Sequence, residues 1–131
     1  MIPNYNQYGK VALIVAKTNG NPKDNWVKAV QKVFPDSKSS QKKNCPKSAF
    51  LGLCKEGLVK GIAKGKYTRS RDNKAYAEKA IEILRSSPKA TYTPNELWAK
   101  VKTELFIKKK AHNSQMDVVL ALWEHHYISE K

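Results

Sequence analysis

The 131 residues, 40% of them apolar, suit one domain with its own hydrophobic core and are too few for a TIM barrel or a full dinucleotide-binding fold. Two cysteines, Cys45 and Cys54, build no disulfide framework, and three Trp, six Tyr and three Phe argue against a wholly disordered chain. A formal net charge of +14 attracts anionic partners, with nucleic acid first and an acidic protein surface or an anionic membrane after it.

The charge is unevenly spread. Residues 1–75 carry 16 Lys/Arg against 4 Asp/Glu, whereas residues 76–131 carry 9 against 7. Within the first part, residues 38–74 alone hold 11 basic and 2 acidic side chains, a net of +9. Lys outnumbers Arg by 22 to 3. Base readout and forked phosphate recognition favour Arg, so this bias points to diffuse electrostatics. The apolar patch 11–16 lies between Lys10 and Lys17 and is too short to be a membrane span or a signal sequence, and no other window reaches 18 apolar residues. A reducing, cytoplasmic location is therefore expected.

Six helices are predicted, making an all-α single domain over residues 1–131. The first runs from about Asn6 to Thr18, with Tyr8, Val11, Ala12 and Val15 on one face and Asn19-Gly20 as a stop. The second has Asn21 as cap, Pro22 at its first position and Asp24 in its first turn, and Pro35 ends it. Residues 35–45 read as a long, basic, mobile loop. The third helix starts near Pro46, buries Phe50, Leu53, Cys54 and Leu58, and is closed by Gly61. Its interior Gly52 and Gly57 suggest close backbone packing, because an interior glycine otherwise costs about 1 kcal/mol.

A connector follows at residues 61–70, short enough for a wing or a hairpin-like turn around Gly65. The fourth helix, from about Arg71 to Ser86, has Ser70 as cap and an apolar side made by Ala77, Ala80, Ile81 and Leu84. The fifth carries a capping box at Thr93 and Glu96, a Tyr92–Leu97 staple, and a buried stripe of Leu97, Trp98, Val101, Leu105 and Phe106. Lys108, Lys109 and Lys110 sit at its end, where cations favour the helix dipole. The sixth is capped by Ser114 and Asp117, runs to about Tyr127, and is apolar round so much of its circumference that it should be central.

No catalytic fingerprint is present: there is no G-x-G-x-x-G, P-loop, G-x-S-x-G or H-E-x-x-H. Cys45 and Cys54 are too far apart for a zinc knuckle, and His125 and His126 would point about 100° apart on a helix. No metal and no cofactor are expected. Glu78 and Glu82 share a helix face that reads as solvated, and the acids do not assemble into a metal-dependent nuclease site. A helix-turn-helix made of the last two helices would have an apolar recognition helix with no Lys or Arg before Lys131, the wrong charge for a groove.

Phosphate contact needs only cations on a common surface. Two zones qualify: Lys38, Lys42, Lys43 and Lys47, and then Lys60, Lys64, Lys66, Arg69, Arg71 and Lys74. Tyr67 is the aromatic set among them, placed either to stack on a base or to anchor the connector. The string CPKSAFLGLCKEGLVKGI followed by YTRS, with NQYGKVALIVAK before it and NSQMDVVLALWEHHYI after, resembles a family of small, uncharacterised, mainly bacterial proteins without an assigned activity. The resemblance covers nearly the whole chain and implies a complete, bacterial or phage-encoded domain.

The leading expectation is non-enzymatic, largely sequence-nonspecific binding of DNA or RNA through residues 38–74. One alternative is an interaction or inhibitor module that masks an acidic protein surface. The other is a small nuclease or hydrolase using Cys45 with His125, or the Lys/Tyr cluster.

Overall fold

The computed structural model describes residues 5–108 and 112–129. It is all-α: α1 (Gln7–Ala16), α2 (Pro22–Val33), the single turn α3 (Lys38–Gln41), α4 (Asn44–Lys55), α5 (Arg71–Ser86), α6 (Pro94–Leu105) and α7 (Gln115–Glu124). No helix is long and apolar enough to cross a membrane among these residues.

The strongest local signals form as expected. Asn21 accepts hydrogen bonds from the N–H groups of Lys23 and Asp24, with Pro22 opening α2. At α6, Thr93 and Glu96 exchange bonds of 3.1 and 2.8 Å in a full capping box. Every residue from Gln115 to Leu122 is buried, and α7 packs against α1, α4, α5 and α6, so it is the central helix. Around it, Trp26 lies 5.4 Å from Phe50 and Tyr76 meets Trp98 edge-on at 5.2 Å. Cys54 is fully buried on α4, which pushes its thiol well above the ordinary range, and both cysteines are free.

Several expectations give way to longer-range contacts. The segment read as a loop at 35–45 contains α3. Ser37 caps that turn, Gln41 donates to the Phe34 carbonyl at 2.7 Å, and the Tyr8 hydroxyl donates to the Ser40 carbonyl at 2.8 Å. Helix α4 starts at Asn44, close to the expected Pro46, but Gly57, not Gly61, closes it. Gly57 takes φ +73°, and the N–H groups of Gly57 and Leu58 bond back to the carbonyls of Cys54 and Leu53 in a Schellman motif. Gly52 is the glycine that permits close packing: a Cβ there would lie 2.7 Å from Lys74 Cβ and 2.9 Å from Lys74 Cα on α5.

The wing or hairpin expected at 61–70 does not form. The connector is irregular, and the β pairing among the described residues is an isolated antiparallel bridge from Val59 to Ile128. Helix α1 stops at Ala16 and α7 at Glu124, earlier than Thr18 and Tyr127. Phe106 does not bury: it leaves α6 in the left-handed conformation, φ +57°, and is 91% exposed. Lys109 and Lys110 lie outside the described residues.

Ser70 and Ser114 do not cap their helices through their side chains. Ser114 and Asp117 instead serve the start of α1. Ser114 Oγ accepts from Asn6 Nδ2 at 3.0 Å, and the buried Asp117 carboxylate accepts from the Asn6 backbone N–H at 2.9 Å. Burial raises the pKa of Asp117 above the ordinary carboxylate value, and the Asn6 N–H and His112 oppose that rise.

Candidate nucleic-acid interface

The cationic residues of the 38–74 stretch fall on α3, α4, the connector and the start of α5. Lys42 ends α3 and Lys43 precedes α4, and both are exposed. The Lys43 ammonium stands 5.9 Å from the centroid of the Tyr8 ring, so the tyrosine that ties α3 to α1 also steadies this cation. Lys47 is half-buried in the first two turns of α4. Lys64, Lys66 and Arg69 are exposed along the connector, and Arg71 is exposed at the first position of α5.

Packing of α4 on α5 brings the two basic zones onto neighbouring elements. Cys45, at the start of α4, and Arg71 and Asp72, at the start of α5, line one cavity of about 420 Å³ together with Asn73, Tyr76 and Gln115. Lys43 supplies no side-chain cap and the first turn of α4 holds no acid, so the partial positive charge of that helix start adds to that of Lys43 and Lys47, whereas Asp72 in the first turn of α5 offsets the charge of the other start.

Two members of the set behave differently. Lys74 is spent inside the protein: its ammonium meets Glu56 Oε2 at 2.6 Å, and its stem packs over Gly52. The hydrogen bond and charge of Lys74, with Lys55 and Lys64 nearby, pull the Glu56 carboxyl below its ordinary value. Glu56 and the exposed Asp72 are the two acids that partly neutralise the zone, and Lys74 is the cation that answers Glu56. Tyr67 follows the anchoring alternative. Its hydroxyl donates to the Ala63 carbonyl at 2.7 Å, its ring covers Gly65, and it is half-buried against the core.

Lys60 faces another environment. It lines a cavity of about 560 Å³ with Arg85, Trp123 and His126, none of which the sequence reading assigned to a binding site. The proposed hydrolase pair has separate surroundings: Cys45 lines the α4–α5 cavity, whereas His125 Nε2 is 2.8 Å from the Tyr5 hydroxyl. Among the described residues, no group of three His, Cys, Asp or Glu side chains gathers as a metal site.

Comparison with curated proteins and with solved structures gives no match. A family model described as "Family of unknown function (DUF6979)" matches residues 5–129, from the residue before the α1 cap to the last described residue of the C-terminal segment. The chain therefore belongs to that family of unknown function.

Proposed function

We propose that the protein binds nucleic acid without catalysis and with little sequence preference, through the basic surface at residues 38–74. The carrying observation is the net charge of +9 over that stretch, with Lys42, Lys43, Lys60, Lys64, Lys66, Arg69 and Arg71 all exposed. Lysines of this kind contact phosphates as point charges and release condensed counterions, which favours binding without selecting bases. Tyr67 is hydrogen-bonded within the connector, which supports a role in shaping the loop that carries Lys64 and Lys66. Lys74, held by Glu56, contributes less than its exposed neighbours.

Fluorescence anisotropy with labelled duplex and single-stranded 20-mers of unrelated sequence tests this reading. Binding at low salt, micromolar or weaker at moderate salt and alike across sequences, is expected. No binding at low salt would refute it. A second reading, docking on an acidic protein surface, is favoured by one observation: Phe106 stands 91% exposed beside the cations Lys102 and Lys108 around a surface hollow. Loss of nucleic-acid binding together with retained binding to acidic polypeptides would select that reading.

A further inference from the structure

We infer that the cavity between the end of α7 and the C-terminal segment is a mononucleotide site, holding a base against Trp123 and its phosphate between Lys60, Arg85 and His126. The chain reverses after α7. His126 takes φ +63°, a conformation that favours glycine, and completes a Schellman motif: the His126 N–H bonds to the Trp123 carbonyl and the Tyr127 N–H to the Leu122 carbonyl. The reversal lays Tyr127–Ser129 against Leu58–Lys60. Lys60 N–H donates to the Tyr127 carbonyl and Ser129 N–H to the Leu58 carbonyl, each at 2.8 Å, on either side of the Val59–Ile128 bridge. From α5, the Arg85 guanidinium donates to the Ser129 carbonyl of the same segment.

Glycine would make the same turn with less backbone strain. The chain instead carries an imidazole there, and that imidazole lines the cavity.

The chemistry of the walls then narrows the ligand. Pro88, Trp123 and Ile128 supply apolar surface, and Trp123 is only half-buried, leaving part of its ring for a flat partner. Among the described residues, the titratable groups lining the cavity are Lys60, Arg85 and His126, all cationic or able to become so, with no carboxylate beside them. Glu124 lines a smaller neighbouring hollow that shares Pro88, Trp123 and His126 with this cavity. The two ion pairs among the described residues, Lys74–Glu56 and Lys79–Glu82, leave Lys60 and Arg85 out. A volume of about 560 Å³ lies within the range of small-ligand sites. A planar ring carrying a negative group satisfies both halves, and a nucleoside monophosphate, free or at the end of a strand, is that chemistry.

This site shares Lys60 with the lysine surface proposed above but none of the residues neutralised to test that surface, so the test separates them. Trp26 and Trp98 are buried, so quenching of tryptophan fluorescence on titration with AMP, CMP, GMP or UMP reports on Trp123, and calorimetry gives the affinity. Saturable binding is expected, with inorganic phosphate and the bare nucleosides at least tenfold weaker. Arg85→Gln should weaken nucleotide binding tenfold or more. Arg85 also holds the C-terminal segment, so His126→Gly is the second variant: it relieves the turn, should raise Tm, and should still weaken binding severalfold. Lys64→Gln, Lys66→Gln, Arg69→Gln and Arg71→Gln together should leave mononucleotide binding unchanged even if they abolish binding to long strands. A 5′-phosphorylated dinucleotide that binds as tightly as the monomer assigns the site to strand ends, and one that binds more weakly assigns it to free nucleotides. No saturation at millimolar nucleotide, phosphate binding as well as nucleotide, or unchanged affinity in both Arg85→Gln and His126→Gly would overturn the inference.

Discussion

Gly52→Ala sets two known effects against each other at the α4–α5 contact. Replacing an interior helical glycine by alanine recovers about 1 kcal/mol of helix propensity. Against this, the new methyl group would lie 2.7 Å from Lys74 Cβ and 2.9 Å from its Cα. These atoms cannot swing aside as a side-chain tip would, so the helices must separate. Overpacking of this kind costs about 1–3 kcal/mol. The clash on backbone atoms places the cost in the upper half of that range, and the net effect is a destabilisation of about 1–2 kcal/mol. Urea unfolding followed by far-UV circular dichroism measures it, with an unchanged m-value showing that the denatured state is the same. The displacement also carries Lys74 away from Glu56, so the Glu56 carboxyl should titrate closer to its ordinary value in the variant. A Gly52→Ala protein more stable than wild type by about 1 kcal/mol would refute the account, because propensity alone would then be acting.

Asp117 supplies a pH-dependent prediction. Its pKa is raised in the folded state, so the native protein binds that proton more tightly than the unfolded chain. The contribution of this group to stability is therefore fullest below the unfolded aspartate pKa and is lost as pH rises through the folded value. Asp117→Asn keeps an acceptor for the Asn6 N–H and should flatten that decline, seen as a gain in stability over wild type at neutral pH in urea titrations. Asp117→Ala leaves the N–H without its acceptor and should cost about 2 kcal/mol. For the thiols, labelling of the native protein should modify the partly exposed Cys45 well before the buried Cys54. Equal rates under native conditions would contradict the packing of α4.

What was legible in the sequence was local. The Asn21-Pro22 start and the Thr93–Glu96 box satisfy N–H groups within a few residues, so their hydrogen bonds are encoded where they occur. The breadth of the apolar face on α7 likewise foretold its central place. Where the reading failed, the deciding partner was distant in sequence or the backbone left the helical period. Gly57 and Gly61 both take positive φ, and only the bonds back to Cys54 and Leu53 make Gly57 the helix end. Phe106 continues the apolar stripe of α6 on paper, yet one left-handed residue turns it outward. Asp117 looked like a cap for its own helix, and it holds the backbone of Asn6 instead. The cavity around Trp123 joins Lys60, Arg85 and residues 123–129, segments with no shared local pattern. A mismatch between His126 and the glycine usual at such a turn was the available signal, and it becomes readable only once the helix end is known.

The phosphate-binding surface proposed at residues 38–74 is put to the test by the salt dependence of duplex DNA binding in wild type and in the variant neutralised at Lys64, Lys66, Arg69 and Arg71. On a plot of log affinity against log salt, each phosphate contact contributes about 0.9 to the slope. The four side chains are Lys64, Lys66 and Arg69 on the connector and Arg71 at the start of α5, all exposed and outside both ion pairs of the described residues. The variant should therefore fold with little change in Tm, bind more weakly, and show a slope flatter by about 0.9 for every contact removed. A wild-type slope retained by a folded variant would contradict the claim.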